Sequence, residues 1–348
     1  MSTPRGRVLI TLGALVASMG LAACGGESEA ASGGSAPATV KLGYFPNVTH
    51  ATPIVADKEG YFAKHLGKTK LAVSHFNAGP AAVEALKSGA IDATYLGPGP
   101  ATNAFINSSG KALTIVAGAA TGGTSLVVNP SITSVKGLKG QKVSTPQLGN
   151  TQDIALRYKL KQEGLKTTLQ GGGDVSIVPQ DNAQILDAFK QKQIAGAWVP
   201  EPWATRLVEA GGKTLIDERD LWPDKKFVIT LLAVRTSFLK DHPDTVKALL
   251  EGGLDAGDLI AKNPAKAQQD VADIIGKSTG KPQKVAGIAK SWGKLSFGSD
   301  PVPSSITAGA QHAYDVGILK KKPELNGLID LSILNGLLKQ RGEPEIKG

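Results

Sequence analysis

Cysteine is almost absent from this chain. Cys24 is the only one in 348 residues, which excludes an intrachain disulfide and any zinc site built on cysteine. Histidine is scarce too, and the five present show none of the pairings that ligate a metal. Aromatic residues make up only 5%. The basic excess behind the formal charge of +9 is spread along the chain and not clustered with aromatics, so no nucleic-acid-binding face is read. No H-E-x-x-H, G-x-S-x-G or Walker A run occurs, and S-x-x-K at 237–240 and 291–294 stands without S-D-N or K-T-G partners. Nothing in the motifs points to catalysis, and no cofactor and no metal is expected.

What the chain does contain is glycine and proline, 42 and 20 residues, as suits many turns joining short elements. With 41% hydrophobic and 20% charged residues the composition is that of a globular protein, and the length suits two domains. Arg5 and Arg7 precede an apolar stretch, residues 8–23, of signal-sequence length. It ends Leu21-Ala22-Ala23-Cys24-Gly25, which resembles the lipobox of a bacterial lipoprotein signal. That resemblance implies a signal peptide over 1–23, lipidation of Cys24, and anchoring to the extracytoplasmic face of the cell membrane. Residues 24–38 are small and polar, as in a flexible tether.

Two later stretches are built alike. Residues 82–100 (AVEALKSGAIDATYLGPGP) and 184–203 (QILDAFKQKQIAGAWVPEPW) each predict a short amphipathic helix, a turn and an apolar strand. Each strand carries a large aromatic near its end, Tyr95 or Trp198, and enters a proline-containing loop. In an open α/β sheet ligands bind at the carboxyl ends of strands, so two such ends suggest two similar lobes facing a cleft. Further strands are predicted at 40–45, 71–76, 113–117, 125–129, 142–145, 175–178 and 227–234, with an almost wholly helical pattern from Thr236 onward. Strands 125–129 and 227–234 are read as the two passages between lobes, which would make a hinge.

The stretches GYF at 43–45, FNAGPAAVEAL at 76–86, GAIDATYLGPGP at 89–100, QLGNTQDIALRYKLKQEGL at 147–165 and AWVPEPWATRLVEAGG at 197–212 resemble the substrate-binding proteins of bacterial ABC transporters, in the branch holding the aliphatic sulfonate, taurine and nitrate binders. The resemblance implies an α/β, two-lobed type II periplasmic-binding fold with a two-strand hinge and a helical C-terminal tail. Lobe I is then expected at 39–126 and 230–348, and lobe II at 127–229. It further implies a monomer that binds a small anionic solute, most of all an aliphatic sulfonate, and hands it to a membrane permease. Nitrate, taurine or a thiamine-precursor pyrimidine are alternative ligands. An enzyme of the same scaffold, the thiamine-pyrimidine synthase, carries a cysteine-rich iron motif that a single cysteine does not match.

Carried over by position, the resemblance implies contacts from Tyr44, Phe45, Asn47 and His50 in the first loop, Gly79 and Pro80 in the second, and Gly97, Pro98 and Gly99 in the third. Gly149, Asn150, Thr151 and Gln152 would serve from the second lobe. Tyr95, Trp198 and Trp203 are expected to wall an alkyl or aryl tail, and Glu201 to meet an amine. The glycine-bearing turns at helix starts fit this, since free N–H groups and the positive end of the dipole favour an anion without any cation.

Overall fold

The central strands are buried on both faces, and that is why they read as nearly unbroken apolar runs. The computed structural model describes residues 36–347; the leader, Cys24 and most of the tether lie outside them. In chain order the strands are β1 (Thr39–Tyr44), β2 (Lys70–His75), β3 (Ala93–Leu96), β4 (Leu113–Gly122), β5 (Thr124–Val128), β6 (Lys142–Thr145), β7 (Ser176–Pro179), β8 (Gly196–Pro200), β9 (Lys213–Asp217), β10 (Val228–Arg235) and β11 (Leu295–Phe297). They form a first sheet in the order β11-β4-β10-β3-β1-β2 and a second in the order β7-β6-β8-β5-β9.

The two sheets repeat one plan. A parallel triple, β2-β1-β3 or β7-β6-β8, is continued by an antiparallel strand, β10 or β5. The two look-alike stretches of sequence supply β3 and β8, which occupy the same slot in their respective sheets. Along β8 the side chains alternate, with Ala197 and Val199 entering one core and Trp198 the other. Along β10, Leu232 and Val234 face one core while Leu231 and Ala233 face its opposite.

The chain changes sheets a few residues before each of the two segments expected to do so. Residues 125–129 sit within the second sheet and 227–234 within the first, so neither strand spans both. The first crossing is at Gly122-Gly123. Both have left-handed backbones (φ 74° and 73°), and a Cβ on Gly123 would lie 2.6 Å from Leu295 Cγ, so only glycine allows this tight bend. The return runs between Asp217 and Val228, and Gly122 N–H bonds Phe227 O at 3.1 Å. The two passages therefore lie side by side. β4 extends beyond the predicted 113–117, and β9 and β11 were not predicted; both are short and only half-buried, so they lack the apolar signal of a central strand. The C-terminal part is helical apart from β11.

Candidate functional site

All six parallel strands end at one place. Their following loops meet in a narrow cleft between the lobes, about 370 Å³ with its solvent-open part included, as strand polarity in an open sheet dictates. The loop after β1 brings Phe45, Asn47, Thr49 and His50, that after β2 brings Asn77, Ala78 and Gly79, and that after β3 brings Gly97 and Pro100. The second lobe adds Pro146, Asn150, Thr151 and Gln152 after β6, Asn182 after β7, and Pro200 at the end of β8; Ile229 of β10 completes the lining. Helices starting at Ala51, Gly79, Pro98, Thr151 and Asn182 all begin at this lining, so several helix dipoles point their positive ends inward.

The polar side chains are arranged as neutral donors. Phe45 N–H donates to His50 Nδ1 at 3.3 Å, which places the imidazole proton on Nε2. Burial pushes the His50 pKa down to about 3, because nothing compensates the charged form in this dry place. Asn47 Oδ1 accepts from Trp203 Nε1 at 2.9 Å, leaving the Asn47 NH₂ as the free end. Asn150 caps the helix Thr151–Gln162 by accepting from Asp153 N–H at 2.8 Å, and its own NH₂ donates to Gln152 Oε1 at 2.9 Å. Gln152 is thereby turned so that Nε2 is free. Thr151 Oγ accepts from Gly99 N–H at 3.3 Å and keeps its proton to donate.

No Lys, Arg, Asp or Glu lines the cleft among the described residues. Three acids adjoin lining residues in sequence, Asp153, Asp181 and Glu201, and the charge of Asp153 is consumed within the second lobe. Arg157 Nε pairs with Asp153 Oδ2 at 2.9 Å with both side chains at most 1% exposed. Gly149 N–H and Thr145 Oγ donate to the same carboxylate. What is left facing the cavity is mainly hydrogen-bond donors and partial positive charge, with Asn182 Oδ1 unpartnered beside them and an apolar wall of Phe45, Pro100, Pro146, Pro200 and Ile229. Such a site suits a small anion.

Of the residues singled out from sequence, Phe45, Asn47, His50, Gly79, Gly97, Asn150, Thr151 and Gln152 line the cleft. The others do not. Trp198 is fully buried in the core of the second lobe, with Nε1 donating to Glu218 Oε2 at 2.8 Å, so it has no face for a ligand's tail. Tyr95 does not reach the cleft either, and its ring lies on the core side of the first sheet. Glu201 meets an amine, but the protein's own: Lys294 Nζ stands 3.1 Å from Oε1, and Oε2 accepts from Thr205 N–H and Ser291 Oγ. Trp203 packs in the second-lobe core and acts on the cleft only through Asn47. Tyr44 Oη donates to Asp57 Oδ2 at 2.6 Å, away from the cleft.

The remaining glycines and prolines have structural duties. The N–H of Gly149 is taken by Asp153. Pro98 and Gly99 pack against the second lobe, where a Cβ on Gly99 would lie 2.8 Å from Ile154 Cδ1. Pro80 lies on an outer groove beside Val83 and Glu84. Thr49, Asn77, Ala78, Pro100, Pro146, Asn182, Pro200 and Ile229 were missed. All but Ile229 lie in or beside loops after predicted strands, so the rule that strand ends face the ligand could have found them; Ile229 lies on the return strand.

Residues 33–276 match the profile of the NMT1-like family. The chain is 29% identical over 240 residues to a candidate binding protein of Brucella abortus (strain 2308), covering 68% of this chain and 71% of that protein. It is 30% identical over 217 residues to the taurine-binding periplasmic protein of Escherichia coli (strain K12), covering 62% and 65%. Two similar solved structures are the alkanesulfonate-binding protein SsuA from Xanthomonas axonopodis pv. citri bound to MOPS (TM-score 0.71, 18% identity, 85% of this chain and 99% of that one) and the periplasmic nitrate-binding protein NrtA from Synechocystis PCC 6803 (TM-score 0.75, 18% identity, 88% and 90%). At these identities the two structures speak to the fold.

Proposed function

This chain belongs to the NMT1-like family, and on that premise we propose that it is the extracytoplasmic solute-binding component of an ABC importer, whose lobes close on a small anion. The observation that carries this reading is the set of neutral donors and helix starts meeting in a cleft without a single charged side chain among the described residues. The ligand class that fits is an aliphatic sulfonate. Its three oxygens take donors from both lobes, and its short alkyl part lies against Phe45, Pro100, Pro146, Pro200 and Ile229. The lipid anchor on Cys24, a monomeric state, delivery to a permease, and lobes divided near 123 and within 218–227 belong to the same proposal. The relatives are named as binding proteins, in keeping with a binder and not an enzyme.

Taurine is the second reading, and one atom favours it. Asn182 is 1% exposed and its Oδ1 has no partner among the described residues, so it could accept from an ammonium. A buried ammonium without a carboxylate is costly, however. Calorimetric titration with ethanesulfonate and taurine, which differ only by the amine, separates the two. Ethanesulfonate is expected to bind at least tenfold more tightly; tighter binding of taurine would overturn the first reading in favour of the second. If neither they nor nitrate bind, the cleft is not an anion site. Closure is followed by small-angle scattering, where a saturating ligand should lower the radius of gyration.

A further inference from the structure

A second pocket, of about 670 Å³ with its solvent-open mouth included, lies in the first lobe, on the opposite side of β3 and β4 from the helix Pro98–Asn107. Its walls are Leu250 and Leu254 of the helix Pro243–Lys262, Leu334 of the helix Ser332–Gln340, and Phe297. Exposure rises from one end to the other. Tyr95 is 2% exposed, whereas the side chains of Arg341 and Asp258 are 28% and 44% exposed, which sets the phenol at the floor and the ion pair at the mouth.

The floor has an unused donor. Tyr95 Oη has no hydrogen-bond partner among the described residues, and a Cβ placed on Gly253 would come within 3.2 Å of it. The phenol therefore points at the helix, just where that helix lacks a side chain. Burial raises the Tyr95 pKa, so the hydroxyl stays protonated. One turn further on, a Cβ on Gly257 would meet nothing within 4 Å. Glycine is the poorest helix former after proline, and space for a side chain exists here, so local stability does not account for glycine at 257. Two missing side chains on one helical face keep the hydroxyl reachable.

The mouth does not invite an anion. Arg341 is engaged through all three nitrogens, by Glu343 at 2.9 Å, Asp258 at 2.7 Å and Asp255 at 3.4 Å. Its charge is met before any ligand arrives.

We propose that this cavity is a second binding site, separate from the cleft, for a small uncharged molecule with an apolar body and one oxygen acceptor: a ketone, ether or alcohol that takes the Tyr95 hydroxyl. The proposal does not rest on what the cleft binds.

The test titrates methyl-labelled protein with cyclohexanone and, separately, with cyclohexanecarboxylate, reading the leucine methyl resonances by NMR. Cyclohexanone should move the methyls of Leu250, Leu254 and Leu334 saturably, and the carboxylate should bind at least tenfold more weakly. Tyr95→Phe, which keeps the ring, should weaken the ketone at least fivefold. Gly257→Leu should fill the cavity and abolish binding while melting no lower than wild type; if it does not fold, Leu254→Phe serves the same purpose. The proposal is overturned if these methyls do not shift at the solubility limit, which would mean a cavity holding only water. It is equally overturned if binding survives filling of the cavity, if Tyr95→Phe binds like wild type, or if the carboxylate binds as well as the ketone.

Discussion

Trp203 Nε1, in the second lobe, donates to Asn47 Oδ1, in the first, at 2.9 Å. Beside it Val48 N–H donates to Glu201 O at 3.1 Å, so the loop after β1 is tied to the loop after β8. The indole does two things at once. It joins the lobes on one side of the cleft, and it fixes which end of the Asn47 amide faces the ligand.

Trp203→Phe keeps a ring in the core but removes the donor. A hydrogen bond of this kind is worth about 0.5–1.5 kcal/mol net, so affinity for ethanesulfonate should fall by roughly twofold to tenfold. Asn47→Ala should make the Trp203→Phe change nearly silent, because both act through one amide. Additive losses in calorimetry would show that Trp203 does not work through Asn47.

Trp198→Ala should cost stability and not affinity. The ring is fully buried, and removing such a side chain from a core costs roughly 3–5 kcal/mol, read as a lower urea midpoint. Trp198→Phe is the milder form, losing mainly the bond to the buried Glu218 carboxylate. Ligand affinity of the folded fraction should stay within about twofold of wild type. A large loss of affinity at unchanged stability would place Trp198 in the cleft after all.

His50 sets a pH signature. Its pKa in the folded chain is about 3, against 6.5 for the free side chain, owing to burial. The unfolded chain therefore takes up a proton that the folded chain refuses. Stability from this residue is complete above 6.5 and is lost as pH falls toward 3, by up to about 1.4 kcal/mol per pH unit. His50→Gln should flatten the slope of unfolding free energy against pH in that window by as much as one proton. Ethanesulfonate affinity should be level between about pH 5 and 8, since the imidazole stays neutral there. A rise in affinity below pH 6.5 would mean that a protonated imidazole holds the ligand.

Cys24→Ala tests the lipid anchor. On the present proposal membrane attachment rests on acylation of Cys24; among the described residues no helix is long and apolar enough to cross a membrane. The variant should move from the membrane fraction to the soluble fraction on cell fractionation. If it remains with the membranes, attachment has another source.

Much of the architecture was readable along the chain because its signals are local. Gly79-Pro80 and Asn150-Thr151 start helices through the fixed φ of proline and the side-chain cap of asparagine. The repeated helix-strand units at 82–100 and 184–203 supply β3 and β8, which take equivalent places between a parallel and an antiparallel neighbour. Strand polarity then brings the loops at 45–50, 97–100 and 149–152 to a common edge, and half of the named site residues line the cleft for that reason.

The side-chain directions needed the fold. When both faces of a sheet are buried, an apolar strand shows no alternation, so Trp198 and Tyr95 read equally well as cleft wall or as core. Glu201 could not be settled from its neighbours, because the ammonium that neutralises it belongs to Lys294, far along the chain on the other lobe. The first crossing between the sheets falls at Gly122-Gly123 because left-handed φ at two successive residues allows the chain to bend there. From its sequence alone this protein had two α/β lobes and a set of helix starts ready for an anion, since both follow from interactions between residues near in the chain. Which side chains face the cleft was decided by contacts between distant segments, whose packing chooses one side of each strand.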